Sequence, residues 1–127
     1  MGYALILKCL WGVDMSNFTA ALEVIGTPYH VTLCFCPTVK AGKFRTTNCT
    51  DKAKILSVQY WERVNLTVMV LESDLINARH EYYKKLGYTY AYEFIPHATI
   101  GSGDLVSENT SIIGSTLEVG NEYARIY

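Results

Sequence analysis

Two tripeptides in this 127-residue sequence carry residue types suited to acid–base chemistry, His30-Val31-Thr32 and His97-Ala98-Thr99. Imidazole exchanges its proton near neutrality, so one ring can take a proton from an attacking hydroxyl or water while a second returns one to a departing oxygen. A hydroxyl two positions after each histidine could donate to nonbridging phosphate oxygens as their charge grows, a stabilisation that needs no metal. Together these groups suit phosphodiester cleavage. A single His-x-Thr arises by chance at roughly one histidine in ten in a chain this rich in threonine. Two copies at equivalent places in a repeat are far harder to obtain by accident. The third histidine, His80, lies between Arg79 and Glu81, lacks the pattern and reads as a surface residue.

Each triplet must sit on a strand for its histidine and threonine to share a face, because strand side chains alternate. The patterning supplies such strands. Tyr3 to Leu10 reads as a buried strand, and Asp14 or Ser16 can cap a helix in which Phe18, Ala21, Leu22 and Ile25 recur before Gly26. A strand over 29–36 follows. Ile55 to Arg63 and Leu66 to Leu71 read as a hairpin about Val64-Asn65, then Ser73 caps a helix that Gly87 stops, and Phe94 to Gly101 is again a strand. Thr116 to Val119 and Glu122 to Ile126 suggest a closing hairpin across Gly120-Asn121. The chain thus reads as two strand-helix-strand units, each too small to bury its own face. The expectation is an α+β, bilobal single domain over residues 1–127, with two pseudo-symmetric β-α-β lobes and antiparallel sheets around a central cleft.

With 50% hydrophobic and 18% charged residues the chain can build one real core. A net charge of -1 and a pI near 6.3 give no basic field for long nucleic acid. Any nucleotide ligand should be small and held locally. The apolar run Ala4 to Leu7 is cut by Lys8, far short of the ~18 residues of a membrane span, and no basic region precedes it as in a signal peptide. Ile6 stands where a myristoylation motif after Met1-Gly2 wants Ser or Thr. These features read as a soluble, unprocessed, cytoplasmic protein with no membrane partner. Cys9, Cys34, Cys36 and Cys49 are accordingly read as reduced thiols, and the Asn-x-Ser/Thr matches at Asn17, Asn48, Asn65 and Asn109 as incidental. Cys34 and Cys36 fall on the strand face of His30 and could join His97 at zinc. However, Cys-x-Cys on a straight strand lacks the spacing a turn can close, so buried thiols are the better reading and no metal or cofactor is expected.

The paired His-x-Thr triplets resemble those of the 2H phosphoesterases, and the resemblance spans nearly the whole chain. It implies a bilobal α+β fold with the motifs facing across a cleft, and His30, Thr32, His97 and Thr99 as catalytic residues. The short length and compact spacing are similar to the phage anti-CBASS nucleases, which destroy the cyclic oligonucleotide signals of bacterial immunity. That similarity implies aromatic and acidic ligand contacts, for which Tyr3, Glu122 and Tyr127 are the counterparts. Lys40, Lys43 and Arg45 follow the first motif strand and could form a phosphate-contacting lid, while Trp11, Tyr29 and Tyr92 could stack on bases. The expected function is metal-independent hydrolysis of cyclic di- or trinucleotides by a His/His pair, in the host cytoplasm if phage-encoded. Alternatives are an RNA 2',3'-cyclic phosphodiesterase or 2'-5' RNA ligase-like enzyme, and a non-catalytic cyclic-nucleotide sponge. Which histidine is the base, and the oligomeric state, stay open at this level.

Overall fold

The computed structural model describes residues 18–36, 44–88 and 93–126. Its first element is strand β1 (Phe18–Val24), where a helix over 14–25 is expected. Phe18, Ala20, Leu22 and Val24 are all buried with Thr19 and Glu23 between them, so strand alternation and helical spacing compete for the same short apolar run. Gly26, at φ +83°, turns the chain instead of capping a helix. The Val24 N–H donates to the Tyr29 carbonyl at 2.9 Å and the chain returns as β2 (His30–Cys36). The expected strand over 3–10 lies outside the described residues.

Strands β3 (Asp51–Trp61) and β4 (Leu66–Glu72) form the expected hairpin, closed by a 3-10 turn at Glu62–Val64 and by Asn65 at φ 54°. Helix α1 (Asp74–Lys85) begins where the sequence places it, with the Ser73 side chain accepting from the Ile76 N–H at 3.2 Å. The Ser73 hydroxyl donates in turn to Asp51 at 2.8 Å, a bond that holds the Asp51 carboxyl below its ordinary pKa. Strand β5 (His97–Ser102), a short helix α2 (Val106–Asn109), a 3-10 turn at Thr110–Ile112 and β6 (Thr116–Ile126) complete the described elements.

β6 is one continuous strand where a hairpin is expected. Thr116 to Val119 pair with β3, and Val119 to Ile126 pair with β1. Gly120 and Asn121 bend the strand between its two partners without reversing it. A Cβ at Gly120 would stand 2.7 Å from Thr50 Cγ2 and 3.1 Å from the Cys49 carbonyl, so only glycine lets that segment approach so closely.

The six strands form one antiparallel sheet in the order β2-β1-β6-β3-β4-β5. The expected antiparallel α+β character is therefore present, but the described residues show one sheet, and of the two expected strand-helix-strand units only the second shows its helix there. The sheet divides into halves, β2-β1-β6 and β3-β4-β5, and among the described strands each motif strand is the outer edge of its half. Curling brings these edges, β2 and β5, beside one another.

One face of the sheet packs on α1, joining Phe18, Leu22, Val31, Leu33, Ile55 and Leu71 to Ile76 and Tyr83. Phe18 stacks on Tyr88 at 4.2 Å between centroids and meets the edge of Phe44 at 4.9 Å. Within this apolar layer lies a carboxylate, Glu122, whose side chain is fully buried. Arg79 binds it with both prongs, Nε at 2.6 Å and Nη2 at 2.9 Å, and the Tyr83 hydroxyl donates to it as well. Burial and the Glu122 carboxylate push the Tyr83 hydroxyl far above its ordinary pKa, so it remains a donor. Arg79 also donates to the Arg45 carbonyl, and the Arg45 N–H donates to the Tyr82 hydroxyl at 2.8 Å.

Replacing one partner of a buried ion pair strands the other charge. Arg79→Met should therefore lose about 3–5 kcal/mol in urea unfolding. Arg79→Met combined with Glu122→Leu should recover part of that loss. A single variant within about 1 kcal/mol of wild type would mean the pair contributes no more than an exposed one.

Candidate active site

On β2, Val31 and Leu33 enter the core while His30 and Thr32 face the other way. Cross-strand register places His30 beside Glu23 and Thr32 beside Ala21 of β1. β5 repeats the arrangement: Ala98 is buried, and His97 and Thr99 stand beside Val70 and Val68 of β4. Both triplets thus present an imidazole and a hydroxyl on the face away from α1, as strand alternation requires. Because the two edges approach, His97 lies within electrostatic reach of His30.

The environment of His97 defines its protonation. Its Nδ1 lies 2.7 Å from the Ile95 carbonyl oxygen, which can only accept, so Nδ1 carries the proton and Nε2 of the neutral ring keeps a free lone pair. Burial pushes the His97 pKa below its ordinary value; the Ile95 bond opposes this, and the charge on His30 reinforces it. The ring is accordingly neutral near pH 7 and suited to accepting a proton. The sign for stability follows. From pH 6.5 down to the lowered value, the unfolded chain binds more protons than the folded one, so stability falls as pH falls through that window.

Trp61, at the end of β3, packs against His97 with ring centroids 4.5 Å apart and planes inclined at 55°. Its indole N–H donates to Gln59 Oε1 at 3.0 Å, and Gln59 Nε2 donates to the Ser57 hydroxyl at 3.1 Å. These three alternate residues run along the same face as His97, since Trp61, Gln59 and Ser57 pair with Leu66, Val68 and Val70. Sequence reasoning missed them, although the Ser57-x-Gln59-x-Trp61 alternation inside a strand is a readable signal.

Each histidine borders its own cavity. Beside His97 is an apolar one of about 440 Å3 between Trp61, Val64, Leu66 and Ile95, with Arg63 and Glu93 also lining it. Beside His30 is one of about 450 Å3 with a polar lining that includes Glu23, Tyr29, Tyr123 and Arg125. Both fall in the range of roughly 300–1,000 Å3 common for small-ligand sites.

Other expected contacts are placed differently. The Glu122 carboxylate is enclosed by Arg79 and Tyr83 on the helix side of the sheet, away from the His-x-Thr face. Arg45 is tied to α1 through both main-chain groups. His80 is no simple surface residue, being half-buried and bonded through its ring. Tyr29 does line the His30 cavity. Cys34 is buried. Tyr3, Trp11, Lys40, Lys43, Tyr92 and Tyr127 lie outside the described residues.

The fold and this site define an α+β protein with a curled antiparallel sheet whose two edges each present a His-x-Thr face. The model of the anti-CBASS protein Acb1 family matches residues 16–125, and the chain belongs to that family. Membership associates it with phage evasion of a cyclic-nucleotide immune system. A comparison with curated proteins finds no match. No helix among the described residues is long and apolar enough to cross a membrane.

The contact between Trp61 and His97 gives a direct optical test. In a Trp11→Phe background, a protonated His97 should quench the indole, and the fluorescence should titrate with a midpoint below 6.5. His97→Gln should abolish the transition. A midpoint at or above 6.5 would contradict the desolvated, neutral ring.

Proposed function

We propose that this chain is a 2H-type phosphodiesterase that opens cyclic di- or trinucleotide signals, with His97 as general base and His30 as general acid. The observation that carries the reading is the His97 ring, whose Nδ1–H is tied to the Ile95 carbonyl while its Nε2 is left as a lone pair within electrostatic reach of a second imidazole. In the reaction, Nε2 takes the proton of the attacking hydroxyl, from water or a ribose 2'-OH, as its oxygen forms a bond to phosphorus. The bond from phosphorus to the leaving ribose oxygen breaks, and His30 supplies that oxygen with a proton. The Thr32 and Thr99 hydroxyls donate to the nonbridging oxygens, where charge accumulates. The cavities beside the two histidines offer room for nucleosides on both sides of the reacting phosphate, one in apolar and one in polar surroundings. A compact ligand held at a few points also agrees with a net charge of -1.

The deciding assay incubates the protein, with EDTA, against cyclic di- and trinucleotides and an RNA ending in a 2',3'-cyclic phosphate. Linear products from the cyclic nucleotides are expected, with EDTA having no effect. His30→Ala and His97→Ala should each lose at least ~100-fold in rate while folded, and Thr32→Val and Thr99→Val less. A p-nitrophenyl phosphodiester needs no proton on its leaving group. It should therefore restore much of the His30→Ala rate and little of the His97→Ala rate; the reverse would exchange the two roles. Opening of the RNA end alone would assign RNA processing, and tight retention without turnover would assign a sponge.

A further inference from the structure

β2 and β5 must keep a fixed separation for two imidazoles to act on one phosphate, yet no backbone ladder joins them among the described residues. The third histidine spans that gap. Nδ1 of His80, on α1, lies 2.7 Å from the carbonyl oxygen of Leu33, the residue after Thr32 in β2. A carbonyl only accepts, so Nδ1 donates. The same ring lies flat on Phe94, with centroids 3.7 Å apart and planes 4° from parallel. Phe94 leads into β5, directly before the Ile95 carbonyl that holds the His97 ring and the Pro96 carbonyl that accepts from the Leu71 N–H of β4 at 2.9 Å. One side chain thus contacts the first motif strand through a hydrogen bond and the approach to the second through a ring face. Its own backbone is secured, since the preceding residue, Arg79, grips Glu122 of β6.

We propose that His80 is a positioning residue that sets the distance between the two His-x-Thr strands. The inference rests on the reading of those strands as a cooperating acid–base pair. Both contacts matter, because the hydrogen bond fixes the β2 side and the stack fixes the β5 side. Misplacing reacting groups by about 1 Å can cost on the order of 100-fold in rate, so a small parting of the edges would register in turnover before it registered in folding.

Two substitutions separate the contacts. His80→Asn keeps an N–H donor near the place of Nδ1 and removes the ring; His80→Phe keeps a ring for Phe94 and removes the donor. Ser73→Ala, which removes the α1 cap, is the control for simple helix destabilisation. Two quantities are read on the full chain: kcat and KM for the cyclic nucleotide that wild type cleaves, and the ligand-free titration of His97 by imidazole proton NMR. Both His80 variants should lose about 10- to 100-fold in kcat with KM changed by less than about threefold. In both, the His97 titration should rise toward 6.5 as the strands part. Ser73→Ala should lose stability while leaving kcat and the titration unchanged.

A His97 titration that stays at its wild-type value in both His80 variants overturns the proposal, whatever happens to kcat. An equal fall of kcat in Ser73→Ala overturns it too. Should wild type cleave no cyclic nucleotide, the phosphodiesterase reading fails, and the His97 titration still decides the positioning role. If His80→Asn does not fold, Phe94→Leu tests the same stack from the other side under the same criteria.

Discussion

The structure turns on one carboxylate placed where water cannot reach it. Glu122 would be intolerable in the apolar layer beneath α1 without Arg79 and Tyr83, and together the three side chains bind the helix to β6 in a fixed register. The apolar residues around them, such as Phe18 and Tyr88, supply area but tolerate sliding. A bidentate guanidinium does not, and it therefore specifies where along the sheet α1 lies. From that anchorage the helix carries His80 to β2 and Phe94, and the helix is the frame between two strands that share no ladder among the described residues.

This division of labour explains why the two faces of the sheet differ. The helix side holds most of the apolar core and the buried charge. The opposite side holds His30, Thr32, His97, Thr99 and the Ser57-Gln59-Trp61 series, half-buried or exposed and ordered by short side-chain bonds. His97 meets both a carbonyl that fixes its proton and an indole that fixes its ring, so its orientation is set before any ligand arrives.

Much of this was legible in the residues. The two triplets share a face because strand alternation permits nothing else, and Ser73 and Gly87 bracket α1 by ordinary cap chemistry. The β3–β4 hairpin was readable despite a turn lacking Asn-Gly. What failed did so for identifiable reasons. Phe18 to Val24 satisfies two periodicities at once, and only pairing with both β2 and β6 selects the strand. Gly120-Asn121 has the composition of a turn, but the close approach of Thr50 makes it a bend within one strand. The burial of Glu122 was not legible, because nothing local reveals that Arg79, 43 residues away, will meet it. His80 lacked a motif, and Leu33 and Phe94, which it contacts, come from two separate segments.

The position of β6 has a consequence for how the molecule is assembled. Among the described strands it lies between β1 and β3 and joins the two halves of the sheet, and it follows the other five in the chain. Before it docks, β1 and β3 each present an unpaired edge, the kind of surface on which strands of other chains add. The β1–β6 pairing also closes a loop spanning most of the described chain, a non-local contact of the sort that slows folding. During synthesis both halves must wait, edges open, for the segment that joins them. The nascent protein is most exposed to misassembly in that interval.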